Sequence, residues 1–152
     1  MRNLFAKIIS TFFGLGYFPL APGTWGTLGA FLLWFLFLRH MGLISYIILV
    51  SIFSVIGIYV SDIAEKNIFK EHDSPHIVVD EAAGFFISMI GVSTSLYWGL
   101  IGFVLFRLFD IWKPYPINKT QDLPGGYGIM VDDIVAGIYV AIILNAVGFF
   151  LL

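Results

Sequence analysis

An all-α, polytopic membrane bundle with short and broken helices is the fold this chain predicts, on two observations. Hydrophobic residues fill 59% of its 152 positions and charged residues only 12%, against about 25% charged in soluble domains. All ten acidic residues fall between Asp62 and Asp133, in short polar islands separated by apolar runs that hold no carboxylate. Segments that cross or re-enter a bilayer and return bring such islands to one side, where side chains distant in sequence meet.

The length leaves room for one domain, residues 1–152. Eight Lys and Arg against ten Asp and Glu give a net charge of −2, and no basic run is long enough to point to nucleic acid. The absence of cysteine excludes a thiolate nucleophile, a thiolate metal site and any disulfide.

The N-terminal stretch, MRNLFAKIISTFFGLGYFPLA, superficially resembles a secretion signal, but its glycines and aromatics read as part of the fold. Trp25 to Leu38 is apolar over only 14 residues and closes at Arg39-His40. Leu43 to Ser61 supplies 19 residues, close to the ~20 that cross a hydrocarbon core, and Asp62 ends it. The polar run DIAEKNIFKEHDSPH reads as an interfacial helix stopping before Pro75; Glu65, Lys66, Lys70 and Glu71 form its solvated face and are assigned no chemistry. Ala82 to Phe106 is uncharged for 25 residues, enough for one tilted span. The rival reading breaks it at Gly91 to Ser95, where a glycine and three hydroxyl residues favour a turn.

The break is preferred. It places Lys66, Lys70, Arg107, Lys113 and Lys119 on one side, joined by Arg2 and Lys7, with Arg39 alone opposite; the crowded side is then cytoplasmic. Ile134 to Leu152, 19 uncharged residues, completes the bundle.

Adjacent acid pairs are poor helix anchors because they repel unless a cation lies between them, and Asp80-Glu81 and Asp132-Asp133 are two such pairs. Hard divalent ions such as Mg²⁺ take oxygen ligands, commonly one or two carboxylates plus substrate phosphate. Both Asp80 and Glu81 are candidates, and Asp133 is preferred to Asp132. Arg107, Asp110 and Lys113 follow at i, i+3, i+6 along one helical stripe; the two cations suit phosphate oxygens, with Asp110 joining a metal or orienting a cation. A surface ion-pair ladder is the bland alternative. In LPGGYGIMVDD, Gly125 and Gly126 offer backbone amides to an anion before a helix whose first turn holds the acids. Thr24, after Pro22-Gly23, caps the next helix or touches a phosphate. His72 and His76 sit in the polar linker and His40 on the opposite side, so none is taken as catalytic.

Four strings in this order, GYFPLAPGTWGTLGA, IVVDEAAGF, FRLFDIWKPYPI and LPGGYGIMVDDIVAG, together resemble the phosphatidylglycerophosphatase A family from about residue 14 to the C-terminus. The resemblance implies a Mg²⁺-dependent phosphatase of the bacterial inner membrane, multi-pass and facing the cytoplasm. Such an enzyme hydrolyses phosphatidylglycerophosphate to phosphatidylglycerol and inorganic phosphate. It carries site roles onto Thr24, Asp80, Glu81, Arg107, Asp110, Lys113, Asp132 and Asp133, and an acidic position onto Asp62. The expected metal set is then Asp62, Asp80, Glu81, Asp110, Asp132 and Asp133, with Thr24, Arg107, Lys113, Gly125 and Gly126 on the substrate. Phe85, Phe86, Phe106, Phe109 and Trp112 are candidates to line the lipid entrance, although core packing or interface anchoring is the commoner role for such aromatics. A cation or proton-coupled transporter is the rival class, and it predicts acids near mid-depth on several helices rather than gathered at helix ends; a structural membrane subunit is a third.

Overall fold

The computed structural model describes residues 1–151, and among them the chain is all-helical. α1 (Arg2–Ser10) turns its small residues Ala6 and Ser10 inward and leaves Leu4, Phe5 and Ile8 exposed. It leads through a 3-10 turn (Leu15–Tyr17) to α2 (Pro22–Leu36), which begins with proline at its first position. A proline there sacrifices no helical hydrogen bond and arrives with φ already set. α3 (Leu43–Ile63) widens into π turns over Ala64–Phe69, so Asp62 lies inside a helix expected to stop before it. The interfacial helix expected to reach Pro75 ends instead at Phe69, where Lys70 takes a left-handed φ of 54°.

The uncharged stretch from Ala82 is broken, as the glycine and hydroxyl cluster suggested. α4 (Val79–Ser88) is followed by a turn through Gly91 (φ 74°), and α5 (Leu96–Trp112) runs back, started by Ser95 Oγ accepting from the Trp98 amide. α6 (Ile117–Thr120) is a single turn. α7 (Gly126–Leu151) starts eight residues before the expected Ile134, because GYGIMVDD continues the apolar helix rather than preceding it. Asp132 and Asp133 therefore sit about two turns inside the helix, not in its first turn.

At ten residues, α4 is about 15 Å long, half the thickness of a hydrocarbon core at ~30 Å. Every one of its residues except Glu81 is buried. A helix apolar on all sides must be enclosed, and α2, α3, α5 and α7 enclose this one. The closest crossing is with α7. A Cβ on Gly84 would meet the Asp133 carbonyl oxygen at 2.6 Å, and one on Gly137 would run into the Gly84 carbonyl. Only hydrogen at these positions lets the backbones touch, as at small-residue crossings in membranes.

Two segments are long and apolar enough to cross a membrane, Leu43–Phe69 and Gly126–Phe150. Their outward faces are largely hydrocarbon, with Ile44, Ile48, Ile52 and Val55 on α3 and Ile138 and Ile142 on α7 all exposed. Phe85, Phe86 and Phe106, expected at a lipid entrance, are instead in the core, at most 1% exposed. Of the five aromatics proposed there, Trp112 is strongly exposed and Phe109 packs partly buried against the core. Aromatic identity alone carries no information about which face a ring occupies.

Candidate active site

The starts of α2, α4 and α7 and the ends of α3 and α5 gather at one end of the bundle, and the acids from the separate polar islands meet there. Asp80 and Glu81 come from the first turn of α4 and Asp133 from α7; one carboxylate oxygen from each lies within 4.8 Å of the other two. The Gly84–Gly137 contact causes this, since it fixes α4 against α7 about one turn from each acid.

Arg107, on α5, pairs with Asp110 one turn on, and its Nη1 lies 3.9 Å from Glu81 Oε1. Lys113 is carried by the left-handed C-cap of α5, at φ 46°, so it leaves the expected stripe yet donates to Asp132 Oδ2 at 2.6 Å. The first turn of α2 closes the cluster from the far side: a Cβ on Gly23 would collide with Glu81 Oε1 and crowd Arg107 Nη1. Two consecutive non-glycine residues before that turn, Leu20 (φ 61°) and Ala21 (φ 52°), are held in the left-handed region. Such backbone strain persists only where the surroundings over-determine it.

Electrostatically the cluster is unfinished. Asp80, Asp110, Asp132 and Asp133 are each 8% exposed or less, and Asp80 Oδ1, Glu81 Oε2, Asp132 Oδ1, Asp133 Oδ2 and Arg107 Nε are buried without a hydrogen-bond partner. Buried polar atoms are nearly always satisfied, so this density of exceptions marks a place shaped for something else. Burial, reinforced by the charges of Glu81 and Asp133, pushes the Asp80 carboxyl well above the usual carboxylate range. Burial also raises Glu81, to about 7.

Other expected residues stand further off. Asp62 pairs with Lys66 at 2.7 Å and accepts from the Gly126 amide at 3.4 Å, so it ties the end of α3 to the start of α7 and is not among the three clustered acids. Gly125 packs against the same Asp62 carboxylate, and the nearest carboxylate to both glycines is Asp62 rather than the cluster. Thr24 does not cap α2: the cap is Ala21, whose carbonyl accepts the Thr24 amide at 2.9 Å. Thr24 thus lies in the first turn, beside Gly23. His72 is held by Glu65 at 2.8 Å and His76 by the Gly16 carbonyl at 2.9 Å, so both are engaged in local structure.

Three contributors escaped sequence reasoning. Gln121 reaches Asp132 Oδ2 at 3.4 Å beside Lys113, and nothing in its polar surroundings distinguished it. Gly23 faces Glu81 and Arg107, and in the sequence it shows only as the glycine after Pro22. The Gly84–Gly137 crossing pairs residues 53 positions apart, which no local pattern signals.

Comparison with known proteins gives a consistent result. The family described as phosphatidylglycerophosphatase A matches residues 8–148. A Haemophilus influenzae protein named phosphatidylglycerophosphatase A is 36% identical over 147 residues, covering 95% of this chain and 90% of the relative. An Escherichia coli K12 protein of the same name is 38% identical over 143 residues, covering 93% and 82%. A Bacteroides thetaiotaomicron protein provisionally named phosphatidylinositol-3-phosphatase is 38% identical over 144 residues, covering 90% and 89%. No solved structure matches. With the match running almost end to end and through every polar island that builds the cluster, the chain belongs to the phosphatidylglycerophosphatase A family and is a phosphatase.

Proposed function

We propose that the chain is a multi-pass protein of the bacterial inner membrane whose charged end faces the cytoplasm, and that it hydrolyses phosphatidylglycerophosphate to phosphatidylglycerol and inorganic phosphate in phospholipid synthesis, with Mg²⁺. The observation that carries this reading is the cluster of Asp80, Glu81 and Asp133, with partnerless oxygens, beside Arg107 and the first turn of α2.

The donor set fits a hard divalent cation. It consists of carboxylate oxygens from two helices, close enough to share one ion and too buried to be relieved by solvent, and such ions prefer oxygen ligands. Asp80, Glu81 and Asp133 would hold the ion, with Asp110 beside it through Arg107 and Asp132 beside it through Lys113. When bound, the ion supplies charge neutralisation at the phosphate and acidifies a water.

The chain's own residues do the rest. Arg107 is held by Asp110 and Glu81 on one side and has a free Nε, so it can take phosphoryl oxygens as charge spreads over them. Lys113, anchored by Asp132, adds a second positive charge at the same rim. Gly23 leaves space where a side chain would crowd Glu81, and the start of α2, with its positive dipole end, would face a phosphate held beside Glu81 and Arg107. Hydrolysis forms a bond from water oxygen to phosphorus and breaks the bond to the glycerol oxygen, which leaves with water's proton. The acyl chains stay in the bilayer, and only the head group must reach the helix ends.

The test is phosphate release from phosphatidylglycerophosphate by purified protein, with and without Mg²⁺; activity undiminished by chelation would overturn the metal role. Phosphatidylinositol 3-phosphate belongs in the same assay, because the Bacteroides relative carries that name. Acid quench during turnover separates the two routes: direct attack by water leaves no phosphate on the protein, whereas an aspartyl-phosphate leaves a hydroxylamine-sensitive phosphoryl group on a protein carboxylate.

A further inference from the structure

The opposite end of the bundle carries an isolated cation. Arg39 lies in the connection between α2 and α3, where it stacks on Phe35 at 3.9 Å and donates from Nη1 to the Thr94 carbonyl at 3.0 Å. These contacts fix the guanidinium without neutralising it. All ten acids lie between residues 62 and 133, and no described carboxylate pairs with Arg39, although every other described ion pair lies near the charged end. Its Nε is buried and has no partner. The α4–α5 turn, the end of α2 and the start of α3 all face it, and the titratable groups on them are His40 and Tyr46, whose hydroxyl donates to the Phe86 carbonyl at 2.7 Å.

Arg39 also borders a cavity of about 260 Å³, lined with Trp34, Tyr46, Met89, Val92 and Thr94. Its walls are aromatic and apolar, with the guanidinium and the Thr94 backbone as its polar features. A guanidinium without a carboxylate partner is the group that binds phosphate oxygens, and charged side chains at helix ends in membranes are stabilised by interfacial partners. The space is large enough for a head-group phosphate.

We infer that Arg39 and the α4–α5 turn form a binding site for an anionic phospholipid of the leaflet opposite the active site. This goes beyond the phosphatase reading and uses from it only the membrane orientation of the helices. The bound lipid would brace the turn from which α5 returns to the catalytic end.

Native mass spectrometry of the full chain in detergent tests it, with phosphatidylglycerol and phosphatidylcholine added separately. The wild type is expected to retain one phosphatidylglycerol in preference to phosphatidylcholine. Arg39→Gln is expected to weaken that retention at least tenfold, and Arg39→Lys to restore part of it. Val92→Trp fills the cavity while leaving the guanidinium in place and should also abolish retention, which guards against misfolding of the Arg39 variants. Glu81→Gln, at the catalytic end, should retain the lipid. Undiminished binding by Arg39→Gln and Val92→Trp, or loss in Glu81→Gln alone, would assign the lipid to the active site or the general surface and overturn the inference.

Discussion

Gly84→Ala asks whether the α4–α7 crossing sets the geometry of the acid cluster. The added methyl carbon would lie 2.6 Å from the Asp133 carbonyl oxygen, some 0.8 Å inside the 3.4 Å of ordinary contact, and would also strike the Phe106 ring. Backbone cannot yield as a flexible side chain does, so α4 and α7 must separate by most of that shortfall. Overpacking of this kind costs about 1–3 kcal/mol, which lowers the thermal midpoint in detergent by several degrees. The functional cost is expected to be larger: Asp80 and Glu81 move with one helix and Asp133 with the other, and misplacement of reacting groups by about 1 Å lowers rates on the order of 100-fold. Phosphate release at saturating lipid measures the rate and a thermal melt measures the stability. Gly148→Ala is the control, because its Cβ would meet only Trp98, at an ordinary 3.7 Å, and should behave as wild type. Near-normal turnover by Gly84→Ala would refute the claim that this crossing positions the carboxylates.

Arg107→Gln should lower kcat about 100- to 1,000-fold, the usual loss for one preorganised donor to a charged transition state; an effect confined to KM would remove it from the chemistry. Asp133→Asn should raise the Mg²⁺ concentration needed for half-maximal activity at least tenfold, read by metal titration of phosphate release. In metal-free protein, burial raises Glu81 to about 7, so the folded state holds a proton that the unfolded chain releases near pH 4.5. That contribution to stability is fully present below the unfolded value and is lost as pH rises through 7. Melting temperature should therefore fall between pH 5 and 8 without divalent ions and recover when Mg²⁺ is added at pH 8. Lys113→Met leaves Asp132 buried beside Gln121 alone and, with Lys113 itself partly exposed, should cost about 1–3 kcal/mol in the same melt.

Much of this arrangement was legible because polarity in an apolar chain is informative. Ten carboxylates confined to the middle of the sequence, two of the pairs adjacent, announce a shared site before any helix is drawn, and Gly91 with its hydroxyl neighbours announced the turn that returns Arg107 to Glu81. What stayed hidden was depth and packing. GYGIMV gives no sign of where its helix begins, so Asp132 and Asp133 were placed at a helix start when they lie two turns in. The sequence leaves the three buried phenylalanines between entrance and core because, among apolar helices, core and outward surface are equally apolar and composition cannot divide them. The family resemblance puts Asp62 at an acidic position, while its engagement with the Gly126 amide depends on an approach between residues 64 apart, which the sequence does not signal.

The shortness of α4 has a consequence for biogenesis. Ten residues cannot cross a bilayer unaided, and a segment enclosed by four neighbours has no stable position until they exist. α7, which supplies Asp133 and the partner of Gly84, leaves the ribosome after the other four. A nascent chain that already holds α4 would therefore stay catalytically silent until α7 docks, and only then could it act on the lipids around it.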